Sequence, residues 1–129
     1  MLPTTQHTLA YAAMMTGQRQ LAVEHIRAMV TEMPEEVVKE FATHAEAFLA
    51  TPYEVLVRFG RWDEILAEPD HPEFMVFTRA FRHAARGIAY AAKGDLTSAR
   101  AEQAAFLRPV NWCRMKMFLA TTRAKPYSR

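Results

Sequence analysis

Apolar residues recur at three- and four-residue intervals along most of this chain, the spacing that gathers them on one face of an α-helix. From Leu9 to Met33 the pattern has one break, at "TGQ" over 16–18. Gly17 suits a helix end, because a left-handed turn there costs glycine least. The second helix of the pair is expected from about Gln18, with Leu21, Ala22, Ile26, Met29 and Val30 along one face. Pro34 ends it for want of an N–H. A third helix is predicted from "PEEVVKEF" to about Leu49, with Glu35 and Glu36 where carboxylates favour the positive end of the helix dipole. "TPYE" (51–54) then has the form of a fresh start, with Thr51 capping, Pro52 in the first turn and Glu54 completing a capping box. A short fourth helix is therefore expected over 52–59. Gly60 closes it, and a fifth runs from Arg61 to about Ala67.

The longest helix is predicted from about Pro72 to Lys93, with Asp70 and Glu73 as candidate caps. Phe74, Phe77, Phe81, Ala84, Ala85, Ile88 and Ala92 form its apolar stripe. Gly94 ends it, "DLTSARAEQAAFL" (95–107) is the next amphipathic helix, and Pro109 breaks that one. "NWCRMKMFLATTRAK" has the pattern of a last, loosely amphipathic helix. Alternating β-branched runs are missing, alanine is abundant and there are only four glycines, so the fold class is all-α.

Gly17, Gly60 and Gly94 each stand between two short helices, the last two 34 residues apart and the first two 43 apart. A 34-residue helix–turn–helix period resembles the tetratricopeptide repeat. Ala10, Gly17, Ala22 and Pro34 fall where that family places a small residue, the turn glycine, a packing alanine and the repeat end. Gly87, Tyr90, Gly94 and Ala99 match again, and "FGRWDEIL" resembles the turn region, with Ile65 where alanine is usual. "AYAAMMTGQ" and "VLVRFGRWDEILAEP" look like segments of bacterial proteins with degenerate repeats of this kind. The resemblance implies a right-handed α-α superhelix of about three degenerate repeats over residues 5–108, serving as a protein-interaction module through its concave surface. It gives Trp62 a place packed on the helix pair, and assigns the nine extra residues of the longer spacing to the Pro34–Leu49 helix. His83 and Arg86 depart from the pattern. They stand where large apolar residues are customary, so either the register shifts or two polar groups enter the groove between helices.

Composition adds compartment and charge. The chain has 129 residues, half of them hydrophobic, enough for one domain or a short array. One cysteine, Cys113, excludes an internal disulfide and fits a cytoplasmic setting. No stretch has the length of a membrane span, and the start has no basic residues before its apolar patch, so no signal peptide is expected. Up to Glu102 there are 10 Lys/Arg against 14 Asp/Glu, whereas from Gln103 onward there are 6 Lys/Arg and no acid. The segment 109–129 is thus basic, expected as a further helix and then a disordered end. Nucleic acid is not the expected partner, since a basic tail is more often a solvated end than a binding arm.

Candidate chemistry is sparse. Arg79, Arg82, His83, Arg86 and Tyr90 recur at helical spacing opposite the Phe77–Phe81–Ile88 stripe, a basic face suited to an acidic peptide or carboxylate. The plainer reading is a solvated arginine face. The alternative function is a small-molecule or metal sensor, with His7 and His83 converging beside Arg86 in a polar pocket. No histidine pair has the i, i+4 spacing of a helical metal site, no glycine loop cradles phosphate, and neither Cys113 nor Ser98 has a base placed beside it. Neither catalysis nor a cofactor is expected. Chaperone-type carboxylate clamping, which uses lysine–asparagine pairs, is not expected either, because the one asparagine is Asn111. Neither end has an evident polar cap, so self-association through the ends is a further expectation.

Overall fold

The computed structural model describes residues 3–108 together with 116, 117, 119 and 120, the side chains of 3 and 42–44 apart. Among these residues the chain is all-α, with helices α1 (Pro3–Met15), α2 (Arg19–Glu32), α3 (Glu35–Glu40), α4 (Ala42–Arg58), α5 (Trp62–Ala67), α6 (Val76–Ala92) and α7 (Leu96–Phe106). The expected last helix lies almost wholly outside the described residues.

Three hairpins, α1–α2, α4–α5 and α6–α7, turn at glycines with positive φ: 74° at Gly17, 63° at Gly60 and 84° at Gly94. Each turn closes with the same pair of hydrogen bonds. Gln18 N–H donates to Ala13 O (2.8 Å) and Gly17 N–H to Met14 O (3.4 Å), and the bonds recur as Arg61 to Leu56 and Gly60 to Val57, then Asp95 to Tyr90 and Gly94 to Ala91. This double bond satisfies carbonyls that a helix end otherwise leaves open, and it requires the left-handed residue. Small residues let the paired helices approach: Ala10, Ala13 and Ala22 lie in one buried cluster with Met14, Ile26, Met29 and Val55. The hairpins then pack in chain order, α4 on α1 and α2, and α6 on α4 and α5. Tyr53, Leu56, Ile65, Ala85 and Ala89 fill the second junction, with Trp62 half-buried against them.

The middle of the chain departs from expectation. The helix expected from Glu35 to Leu49 breaks at Phe41 (φ −114°, ψ 34°), whose N–H closes α3 on Val37 O while its carbonyl opens α4 through Ala45. Conversely α4 runs unbroken through Pro52. Thr51 is not a cap; its hydroxyl donates back to Ala47 O (3.3 Å). Interior proline costs about 3 kcal/mol or more through its lost hydrogen bond and ring clash. Against that, Tyr53, Val55 and Leu56 beyond the proline are buried, as are Ala45, Leu49 and Ala50 before it. Val55 and Leu56 alone contribute about 1.5–3 kcal/mol each. Tertiary burial decides the outcome.

The start of α6 is also set from a distance. Neither Asp70 nor Glu73 caps it; Phe77 N–H donates to Glu46 Oε2 (2.7 Å), a carboxylate on α4 that is 4% exposed. Burial raises the Glu46 pKa, and the backbone N–H groups of Phe77, Thr78 and Val76 oppose that rise only in part. By contrast the cap of α7 is local. Asp95 Oδ1 accepts from Ser98 N–H (3.0 Å), and Ser98 Oγ donates to Asp95 Oδ2 (2.7 Å).

Candidate functional site

The basic stripe of α6 faces inward. The sequence pattern sets Phe77, Phe81, Ala85 and Ile88 against the core and leaves the arginines outside; Ala85 is buried and Phe81 packs on the core as expected, but the other buried residues of the helix are Thr78, Ala80 and Ala89. Ile88 is 46% exposed. The polar positions instead meet partners on neighbouring elements.

Arg86 is the centre of one such network. Its Nε–H donates to Glu102 Oε1 on α7 (2.7 Å), Nη1 to Leu66 O on α5 (3.0 Å), and Nη2 to Tyr90 Oη (3.1 Å). His83 Nδ1–H donates to the other Glu102 oxygen, Oε2, at 2.7 Å. Burial alone would raise the Glu102 pKa, yet the hydrogen bonds from His83 and Arg86, with the Arg86 charge, hold it below the ordinary carboxylate value. Burial disfavours the Arg86 cation, and Glu102 more than compensates, so its pKa rises. Of the two ways in which His83 and Arg86 could depart from the repeat pattern, polar entry between helices is the one observed.

A second network lies one turn back. Arg82 Nη2 donates to Glu68 O (3.2 Å), and Arg79 and Arg82 reach Asp70 at 3.7 and 3.8 Å. Arg27 of α2 pairs with the Glu68 carboxylate. Tyr53 Oη–H donates to His71 Nε2 (2.6 Å). Burial, first of several causes, pushes Tyr53 up to about 12. Burial and the Arg82 charge push His71 below its ordinary value. Both shifts favour a neutral hydrogen-bonded pair, which ties the 68–71 turn to α4.

The residues expected as a recognition face thus have partners within the chain. Arg79, Arg82, His83, Arg86 and Tyr90 are half-buried or nearly so, and their polar atoms tie α6 to α5, to α7 and to the turn after α5. His7 does not share the surroundings of His83 and Arg86. Its ring meets Phe48 of α4 edge-on, with centroids 5.0 Å apart. Among the described residues no group of three or more His, Cys, Asp or Glu could hold a metal ion, and no helix is long and apolar enough to cross a membrane. Cys113 lies outside the described residues.

What α6 turns outward is apolar. Ala84, Gly87, Ile88 and Ala91 of α6, with Leu96, Ala99 and Phe106 of α7, line a cleft of about 410 Å³, edged by His83, Arg100 and Gln103. No residue of α7 is buried, and Leu96 is 59% exposed. A second cleft, about 310 Å³, lies among α1, α3 and α4, lined by Thr4, Met33, Pro34, Val37, Phe41, Ala45 and Phe48. Sequence reasoning counted Ile88 as core and passed over Leu96, Arg100 and Phe106. One signal was present: α7 has apolar residues on two sides, more than a single neighbouring helix can cover.

Comparisons with protein-family models, with curated proteins and with solved structures found no match to this chain.

Proposed function

We propose that this chain is a protein-interaction module, a tetratricopeptide-like superhelix of three hairpins that receives an amphipathic segment of a partner in the cleft between α6 and α7. The observation that carries this reading is the cleft itself, with Ile88 and Leu96 among the exposed large hydrophobics of the chain. Contiguous exposed apolar surface rimmed by polar groups marks interaction sites on soluble proteins. The hairpins, their left-handed glycines and the 34-residue spacing of Gly60 and Gly94 support the family likeness. Arg100 on the rim, and the acid-free stretch from Gln103 onward, favour a partner with carboxylates flanking its apolar face. A catalytic role is not proposed, and one cysteine in the chain suits work in the cytoplasm.

The test is a titration of fluorescent amphipathic helical peptides, acidic, neutral and basic versions of one apolar face, read by anisotropy. The acidic version binds tightest, and Leu96→Glu abolishes binding while leaving the helical circular dichroism intact. Failure of all three peptides to bind, or binding that Leu96→Glu leaves unchanged, would refute the reading.

A further inference from the structure

The two apolar clefts stand at opposite ends of the helix order, and their rims differ in charge. Arg100 edges the α6–α7 cleft, and Arg108 follows two residues after Phe106 of its lining, both exposed. Beside the other, Glu36 and Glu40 are exposed on α3, where the one cation, Lys39, pairs with Glu35, and their neighbours Val37 and Phe41 line that cleft and are 41% and 55% exposed. Along the chain acids are in excess up to Glu102, and every charge after it, Arg108 included, is basic.

We propose that the occupant of the α6–α7 cleft is the α3 edge of a second copy of this chain, so that copies associate head to tail. This rests on the reading of that cleft as a docking surface and names its partner. Apolar contact between Phe41 and Val37 of one copy and Ile88 and Leu96 of the next supplies the attraction. The charged rims fix its polarity, because head-to-head or tail-to-tail contact would set like charges against each other. Such an interface joins two different patches, so it propagates into a ring or an open chain.

The experiment is sedimentation velocity of the full chain over a roughly hundredfold range of concentration, where reversible association follows mass action. The weight-average mass rises above 14.7 kDa with concentration, and less so at high salt, which screens exposed charge. Two surface variants reverse one rim each, Glu36→Lys with Glu40→Lys, and Arg100→Glu with Arg108→Glu. Each alone weakens association by about tenfold or more, the scale of losing complementary rim charge. Mixing the two reversed chains restores it, because opposite rims meet again. A wild-type chain that stays monomeric throughout, reversed chains that associate as well as wild type, or a mixture that stays dissociated would each overturn the proposal. If the wild type is monomeric but the acidic peptide above still binds, the docking surface stands and the self-partner falls.

Discussion

Replacing Arg86 with alanine should unfold this protein more easily rather than leave its stability intact. The substitution removes three hydrogen bonds at once, to Glu102, Leu66 O and Tyr90 Oη. The two ionic side chains are 16% and 14% exposed, so solvent screens them little. Hydrogen bonds to charged groups contribute roughly 1.5–3 kcal/mol, and breaking a fully buried pair costs about 3–5 kcal/mol. Glu102 keeps His83, which moderates the loss. A destabilisation of about 2–3 kcal/mol follows, or roughly 6–15 °C in Tm for a domain of this size. Urea unfolding followed by circular dichroism measures it. A double-mutant cycle with Glu102→Gln should give a coupling of about 1–2 kcal/mol. The pH dependence has a definite sign. Because the folded pKa of Glu102 lies below its ordinary 4.5, its stabilisation is whole above that value and disappears as pH falls through the folded one. The gap between wild type and Arg86→Ala therefore narrows in acid. If Arg86→Ala stays within about 0.5 kcal/mol of wild type, as surface changes do, the inward network has been misjudged and the arginine stripe is free to bind a partner.

Substitutions at three further positions probe the fold. Gly60→Ala forces a Cβ into the left-handed region and should cost about 1–2 kcal/mol, read by thermal melting. Glu46→Ala removes the remote cap of α6 and should cost about 1–2 kcal/mol. Glu46→Gln keeps an acceptor there, and because the folded pKa of Glu46 is raised, wild type loses stability relative to this variant as pH climbs from 4.5 through the folded value. His71 is held below 6.5, so its contribution is whole above that pH and lost as pH falls through the folded value, a component that His71→Gln should lack in a pH series of melts.

How much of this was legible in the sequence depends on how local each cause is. The hairpin turns were legible, because Gly17, Gly60 and Gly94 meet a backbone demand set within six residues. The Asp95 cap is as local, its partner Ser98 being three residues away, although the sequence reading did not name it. The uninterrupted α4 was not legible, since the pattern at Thr51–Glu54 satisfies a capping box and only burial of Tyr53, Val55 and Leu56 overrides it. The cap on α6 comes from Glu46, 31 residues before Phe77, and no window along the chain contains both ends of that bond. The surroundings of the candidate site were hidden for a similar reason. A helical wheel separates the two faces of α6 but cannot say which polar atoms find partners on neighbouring helices. The answer lay in Glu102, sixteen residues past Arg86, whose paired oxygens draw the arginine face inward and leave Ile88 outside.

A heteronuclear NMR titration of the labelled chain with the acidic amphipathic peptide separates the two faces of α6 in one experiment. Docking in the apolar cleft moves the amide resonances of Ala84, Ile88, Leu96, Arg100 and Phe106 and leaves those of Arg79 and Arg82 in place. Shifts centred on Arg79, Arg82 and Arg86, with the cleft unmoved, would show that the arginine stripe is the binding surface after all.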